Sequence, residues 1–210
     1  MVDVLTSIHG MEVGLDGDRN LVVGGKKVTD ISAEVGAKNG ATVVETTLVD
    51  GVFRKVKLTC STTPIVITDD PGVAQYGGVK VYDFPAGLLN FQGAVIDGSL
   101  TIDDTEMTDA FDGDVALGTA TATTGSTLTG TEADLLQSTA LTQAVAQVAN
   151  CDAITIATAL TESGARWLDG TTTAKDMYIN FVIDDGAAHI TGTGSFTGTI
   201  EFVYCILGDN

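Results

Sequence analysis

The stretch that most constrains the fold is residues 79–102, VKVYDFPAGLLNFQGAVIDGSLTI, in which short apolar runs alternate with turn residues. A Pro-Ala-Gly turn ends the first run, and residues 88–96 are almost all apolar, as in a strand buried on both faces. Asp97-Gly98 is a dipeptide typical of β-hairpins, so the stretch predicts three short strands. The residues expected to be buried there are Phe84, Leu88, Leu89, Val95 and Ile96.

Strand patterns recur along the rest of the chain, with turn-favouring residues between them. Residues 195–207 show a long alternation of apolar and polar side chains, so we expect this strand to lie inside a sheet rather than at its edge. Residues 176–183 alternate in the same way. Phe181 and Phe202, on the apolar sides of these two strands, are further predicted core residues. Shorter strands are predicted at residues 41–48, 52–60, 64–69, 115–123 and 153–160.

The close spacing of these strands predicts the fold class. A parallel α/β fold needs helices of about ten or more residues between strands, and such patterns do not occur here. We therefore predict an all-β, jelly-roll-like β-sandwich with one or two short helices, at residues 131–137 and 141–148. Residues 1–40 are rich in glycine and predict an extended N-terminal arm with one short strand or hairpin around residues 20–28. The predicted domains are thus the arm, 1–40, and the β-sandwich, 41–210.

The charge of the chain is strongly negative and uneven. The formal net charge is −18, with eight basic and ten acidic residues through position 80, but two basic and eighteen acidic residues after it. A field of this sign repels nucleic acid and anionic lipid, so we expect neither as a partner. Such a face is either simply solvated or meets divalent cations or a basic partner.

The three cysteines are too few and too widely spaced for a disulfide framework. Cys60 and Cys205 lie inside strand patterns and are predicted to be buried thiols. The first residues lack the features of a signal peptide, and no apolar run approaches the ~18 residues of a membrane span. We therefore expect the chain to be made and folded in a reducing cytoplasm.

Metal binding has one weak candidate. Residues 103–114 are rich in carboxylates, and Asp112 and Asp114 are spaced to lie on one side of an extended chain, as ligands of a hard cation would. A solvated loop is the favoured alternative. The D-x-D-x-N run that starts at Asp16 lacks the glycine and the final glutamate of a calcium loop. We expect no resident metal and no cofactor.

Catalytic motifs are missing from the sequence. A Ser-His-Asp triad would use one of the two histidines, His9 or His189, but the sequence has no Gly-x-Ser-x-Gly nucleophile elbow. The Gly-Gly-Lys-Lys run at residues 24–27 lacks the remaining residues of a phosphate loop. A pair of glycosidase carboxylates stays open as an alternative, although a single tryptophan offers little surface for sugar stacking. The prediction is that the chain is not an enzyme.

The segment KVYDFPAGLLNFQGAV, residues 80–95, resembles a family of virion structural proteins of tailed bacteriophages. The resemblance continues at residues 108–122, 127–140 and 176–185, and it covers roughly residues 52–204. These motifs are structural, so no active-site residue is carried over. The similar proteins include capsid decoration (cement) proteins, which lie on the outside of the head lattice, often as trimers.

The resemblance implies a function, a location and partners. We expect a homo-oligomer, a trimer, on the capsid exterior, which stabilises the capsid by bridging subunits of the major capsid protein. The basic residues of the arm are the candidates for contact with the lattice. They are Arg19, Lys26, Lys27 and Lys38. The alternatives are a tail or head-fibre component, or a glycan- or receptor-binding β-sandwich on the virion.

Overall fold

The structure is a computed structural model. It describes residues 3–8, 11–15, 21–23, 26–27, 35–50, 52–103, 110–145, 147–153, 167–184 and 191–208. The structure is nearly all β, with one three-residue 3₁₀ helix in the described part, and a curled antiparallel sheet forms a half-barrel. The predicted all-β class is confirmed, and the curled sheet is consistent with a sandwich-like fold.

Sixteen strands are present in the described part of the chain. In chain order they are β1 (Asp3–Ile8), β2 (Met11–Leu15), β3 (Leu21–Val23), β4 (Lys26–Lys27), β5 (Ala37–Lys38), β6 (Val43–Asp50), β7 (Phe53–Asp69), β8 (Gln75–Asp83), β9 (Gly87–Asp103), β10 (Asp112–Gly118), β11 (Leu136–Ala140), β12 (Thr142–Val145), β13 (Val148–Asn150), β14 (Trp167–Gly170), β15 (Asp176–Asp184) and β16 (Gly192–Gly208).

Most strands belong to one twelve-stranded sheet with the order β11-β10-β15-β8-β7-β16-β9-β13-β12. Beside this path, β5 pairs with β8, β6 with β7 and β14 with β9. The last strand, β16, lies between β7 and β9 along most of its length, so the predicted interior position of residues 195–207 is confirmed. Every pairing in this sheet is antiparallel. Successive side chains of β7 and β9 largely alternate between core and solvent, whereas residues 179–183 of β15 are buried on both faces.

The segment predicted to be an arm contains strands of its own. β1 to β4 form a separate four-stranded antiparallel sheet, and β3 and β4 match the hairpin predicted around residues 20–28. The last strand of the segment, β5, instead joins the large sheet, where Ala37 and Lys38 pair with Asp83 and Tyr82. The large sheet therefore begins within the predicted arm.

The two predicted helices are wrong in most of their length. A 3₁₀ helix covers only Gly130–Glu132, and the following residues 136–140 form strand β11 beside β10. Residues 142–145 and 148–150 form strands β12 and β13, which pair with each other, and β13 also pairs with β9. Helices this short are marginal on their own, whereas a neighbouring strand supplies a ready ladder of hydrogen bonds.

The Asp97-Gly98 dipeptide is not a hairpin. The Pro85–Gly87 turn does separate β8 from β9, but β9 then continues for 17 residues without reversing. Gly98 pairs with Gly198 of β16, and a Cβ atom at Gly98 would lie 2.6 Å from the carbonyl oxygen of Thr197. The glycine is needed because two backbones approach closely, a use that a local sequence pattern does not separate from a turn.

Two of the long strands, β7 and β16, are irregular at this level. Gly198 has φ +159°, the register between β16 and β7 shifts between Phe196 and Gly198, and Thr62 of β7 has φ +55°. The Thr62 backbone N–H donates a hydrogen bond of 3.1 Å to Thr197 Oγ1, which holds the irregular backbone in place. Because bulges bend strands and increase their twist, we attribute part of the curl of the sheet to the irregular backbone at Thr62 and Gly198.

The core fills the inner side of the sheet. Its centre is a group of aromatic rings whose centroids lie 4.9–6.4 Å apart, formed by Tyr82, Phe84, Phe91, Phe202 and Tyr204. Of the predicted core residues, Phe84, Leu89, Ile96, Phe181 and Phe202 are buried. The two cysteines predicted to be buried, Cys60 and Cys205, are buried free thiols, as is Cys151.

Two predicted core residues are placed differently. Val95 is 41% exposed and Leu88 is half-buried, so the prediction that both lie in the core is wrong. Gly93 has φ +147° and lies where the register between β9 and β16 shifts. This bulge resets the alternation, which turns Ala94 and Ile96 inward and Val95 outward. Because residues 88–96 are almost all apolar, their sequence does not show which side chains point inward and which point outward.

Candidate interaction surface

One side of strands β6, β7, β16 and β9 faces solvent, and we call it the outer face. Alternate residues of each strand lie on it, while the residues between them point into the core. Five large apolar side chains on this face are 41–69% exposed, and they are Val44, Leu48, Phe53, Val66 and Val95. Exposed apolar residues that share one rigid face are a feature of interaction surfaces.

A shallow groove crosses this face. Its volume is about 560 Å³, and Phe53, Lys55, Gln92, Val95, Glu201 and Val203 are among its lining residues. The strand register brings them together, since Lys55 pairs with Val203 and Glu201 pairs with both Lys57 and Val95. An open groove with apolar walls and a charged rim suits contact with another polypeptide better than enclosure of a small ligand.

The charges at the groove form a small network. Glu201 lies between two lysines, with carboxylate-to-ammonium distances of 2.9 Å to Lys57 and 3.4 Å to Lys55. The hydrogen bond from Lys57 is the main reason why the pKa of Glu201 is lowered. These two lysines are balanced by acidic side chains on the same face, because the exposed Asp50 lies opposite Phe53 and the exposed Asp97 is two residues from Val95 on β9.

The sequence of β7 alternates imperfectly. Arg54 shares one set of alternate positions with Val56 and Leu58, and Phe53 shares the other with Lys55 and Lys57, which does not fit a sheet with one apolar side. In the structure Arg54 points inward and is fully buried, and its Nη1 donates a hydrogen bond of 3.0 Å to the carbonyl oxygen of Phe53. The sequence signal for the outer face is therefore that Phe53, Lys55 and Lys57 occupy alternate positions of one strand and so share a face.

The predicted lattice-binding residues are not brought together in the described part of the chain. Arg19 lies outside the described residues, and Lys26 and Lys27 form the short strand β4. Lys38 is exposed in β5, where its Nζ donates a hydrogen bond of 3.0 Å to the carbonyl oxygen of Gly40. Its backbone N–H donates one of 2.8 Å to Oε2 of Glu45.

The acidic candidates lie on β10. Asp112 pairs across the ladder with Asp184, and both line, with Asp114, a cavity of about 540 Å³. Within the described ranges, no group of three or more His, Cys, Asp or Glu side chains is arranged to hold a metal ion. Residues 104–109 of the acidic connection lie outside the described part. The predicted metal site thus has no ligand cluster to support it there.

Comparison of the chain with protein-family models, with curated proteins and with solved structures found no match. Among the residues that the structure describes, no helix has both the length and the apolar character needed to cross a membrane.

Proposed function

We propose that this chain is a virion structural protein that decorates and stabilises the outer surface of a tailed-phage capsid. It bridges neighbouring subunits of the major capsid protein, and its outer face makes the contact. The observation that carries this proposal is the outer face itself, which combines exposed apolar side chains with a groove that holds two of the ten basic residues of an acidic chain, Lys55 and Lys57. The resemblance of residues 80–95 and the later segments to phage decoration proteins supports it.

The dimensions of the sheet suit a bridging role. β7, β9 and β16 are each 17 residues long, and a strand of that length spans up to about 55 Å. A face of that length, stiffened by hydrogen bonds on both sides of β16, can contact two neighbouring subunits without much loss of conformational entropy. Resistance to shell expansion then comes from the interface area that would be lost on separation.

Electrostatics orients the protein on the shell. With a net charge of −18, most of its surface repels copies of itself and other acidic surfaces. The groove with Lys55 and Lys57 is the part of the outer face where this repulsion is weakest. Docking through this groove leaves the acidic residues of β10 and β15 free to face solvent.

Binding to shells tests the proposal. Shells assembled from the major capsid protein of the same genome are mixed with the purified chain and sedimented. We expect the wild-type chain to co-sediment and Phe53→Ser to bind at least about tenfold more weakly, because exposed aromatic anchors dominate such interfaces. Val73→Ser removes an apolar side chain that is 57% exposed in the turn between β7 and β8, at the other end of β7 from Phe53, and should bind normally.

Failure of the wild-type chain to bind, or equal binding by Phe53→Ser, contradicts the proposal. Negative-stain imaging of the same samples addresses the main alternative, because a tail component assembles into tubes rather than covering shells.

The contribution of the arm needs a deletion that leaves the large sheet intact. The Gly36 backbone N–H donates a hydrogen bond of 3.2 Å to the Tyr204 hydroxyl, and β5 pairs with β8, so removal of residues 1–40 would damage the fold. Removal of residues 1–34 avoids this. We expect the shortened chain to keep its thermal unfolding transition and lose shell binding; full binding would show that the arm plays no part.

A further inference from the structure

Strand β6 is an edge of the large sheet. Within the described residues it pairs with β7 alone, in an unbroken register from Val43 opposite Cys60 to Asp50 opposite Phe53. The Ser61 backbone N–H donates a hydrogen bond of 2.9 Å to the Thr42 carbonyl oxygen, which identifies the hydrogen-bonded pairs of this antiparallel ladder. By the same alternation, the backbone N–H and C=O groups of Glu45, Thr47 and Val49 point away from β7.

This edge has only one of the features that normally protect an edge strand. Native edge strands are shortened, bulged, covered, or furnished with proline or charged residues. Glu45 is such a charge, on the inner side opposite Leu58, where its carboxylate accepts hydrogen bonds from the Lys38 backbone N–H and the Thr47 hydroxyl. β6 has eight residues, VVETTLVD, without lysine, proline or a bulge. Val44 is 62% exposed and Leu48 is 65% exposed. By contrast, the edge strand β12 has four residues, and the register between β10 and the five-residue strand β11 shifts.

We propose that β6 pairs antiparallel with β6 of a second copy of this chain, about a two-fold axis that passes through Thr46. The two large sheets then form one continuous sheet. The inference does not rest on the proposed function, because it concerns the backbone edge of β6 in the free protein and not contact with a shell. It also differs from the trimer that the resemblance implies, since a two-fold axis gives a dimer.

The sequence of β6 is complementary to itself in this register. Outer-face residues must lie opposite outer-face residues, so only axes that pass through a residue are allowed. With the axis at Thr46, Val44 lies opposite Leu48, Val43 opposite Val49 and Glu45 opposite Thr47. Each apolar side chain thus meets an apolar one. Cross-strand pairs of this kind contribute roughly 0.2–1 kcal/mol each.

Neighbouring registers fail the same test. An axis at Glu45 places two glutamates directly opposite each other, which is destabilising. An axis at Thr47 places Glu45 opposite Val49 and Val44 opposite Asp50. The outward backbone groups of Glu45 and Thr47 form the hydrogen-bonded pairs in the register at Thr46, so both side chains and backbone are satisfied.

The pairing also extends the outer face. Leu48 lies opposite Lys55 in the β6–β7 ladder, beside the groove. Two copies joined at β6 therefore present their two grooves on one surface, with Val44 and Leu48 covering the seam. Because each copy carries −18, long-range repulsion opposes the pairing, and we expect the dimer to become more stable as added salt screens it.

Disulfide formation at the axis is the sharpest test. Thr46 lies opposite itself in a pair that is not hydrogen-bonded, where the Cα atoms are about 4.5 Å apart, within the range of a disulfide. The three native thiols are buried. We expect Thr46→Cys to give a covalent dimer under mild oxidation on a non-reducing gel. Thr59→Cys, exposed on the outer face of β7 but one strand inward, should stay monomeric.

Equal cross-linking of the two variants, or none of Thr46→Cys, overturns the proposal. Sedimentation velocity over a range of concentrations provides an independent test. Leu48→Lys replaces two apolar cross-strand pairs of the dimer and should raise its dissociation constant about tenfold or more. Val66→Lys is the matched control, because Val66 is 69% exposed on β7 but lies away from the edge. A wild-type chain that is monomeric at all concentrations, or a dimer or trimer unaffected by Leu48→Lys, contradicts the pairing.

Discussion

The two faces of the same strands have opposite roles. On the inner face, Leu58, Ile200 and Ile96 are paired across β7, β16 and β9, and all three are at most 1% exposed. One residue along, Lys57, Glu201 and Val95 are paired across the same strands and face solvent. The backbone is shared, so the difference lies in the side chains alone.

This comparison separates stability from binding. Substitutions on the inner face remove contacts from a close-packed core, whereas substitutions on the outer face mostly change what the surface can bind. The outer face is therefore free to carry apolar groups that do not contribute to the core. The following predictions test that separation, from the largest expected effect to the smallest.

Phe202→Ala should be the most damaging. Phe202 is 1% exposed, and its ring lies 4.9 Å from the ring of Tyr82, centroid to centroid, so truncation leaves a cavity. We expect a loss of about 3–5 kcal/mol in the free energy of unfolding. Val203→Ala, the next residue on the outer face, should lose about 1 kcal/mol or less. Denaturant titration followed by circular dichroism measures both, and equal losses would contradict the comparison.

The inner face is also the part that the sequence predicts well. Strict alternation in residues 195–207 and 176–183 indicated both strands and the burial of Phe181 and Phe202, because a strand with one buried side needs that period. The alternation failed where a bulge intervenes. Val95 lies two residues after Gly93, where a bulge is set by the register with β16. That register cannot be predicted from the neighbouring residues in the sequence.

The outer face was harder to predict. Phe53 looked like an error in the alternation, since an exposed aromatic next to a buried arginine breaks the usual rule that charged residues are exposed. The predicted site residues were chosen by charge, in the arm and the acidic connection. The groove depends instead on three strands that are distant in sequence, β7, β9 and β16, and their order was not predictable from composition or spacing.

Gly98→Ala tests the close approach of β9 and β16 beside the irregular backbone at Gly198. A Cβ atom there would lie 2.6 Å from the carbonyl oxygen of Thr197 and 2.8 Å from the ring of Phe196, so the strands must move apart. We expect a loss of about 2–3 kcal/mol. Gly72→Ala is the control, because Gly72 has φ +82° and no neighbour within 4 Å, and it should lose about 1 kcal/mol. If the two losses were equal, the close approach would have no energetic consequence.

Tyr204→Phe tests a polar contact within the inner face. Its hydroxyl accepts a hydrogen bond of 3.2 Å from the Gly36 backbone N–H and lies 3.1 Å from the hydroxyl of Tyr82. Removing it should cost about 1–2 kcal/mol, measured by thermal unfolding. A loss below about 0.3 kcal/mol would show that water satisfies these groups equally well.

The same pair predicts alkaline sensitivity. Burial raises the pKa of Tyr82 and of Tyr204 above the ordinary value. The unfolded chain therefore releases these protons from about pH 10 upward while the folded chain holds them, so stability is lost as pH rises above that value. Tyr204→Phe should show a shallower decline. An identical pH dependence in wild type and variant would assign the decline to other groups, among them Cys151, whose burial raises its pKa to about 12.

Glu201→Gln should have the smallest effect. The carboxylate forms ion pairs with Lys55 and Lys57, but all three side chains are at least 35% exposed, and such pairs contribute about 0–1 kcal/mol. Because the hydrogen bond from Lys57 lowers the pKa of Glu201, this contribution is present at neutral pH and lost as pH falls below about 4. Urea titrations of wild type and variant at neutral and acidic pH, and in high salt, measure it. A difference above about 1 kcal/mol at neutral pH would mean that the outer face contributes to folding, and the separation between a stabilising inner face and a binding outer face would not hold.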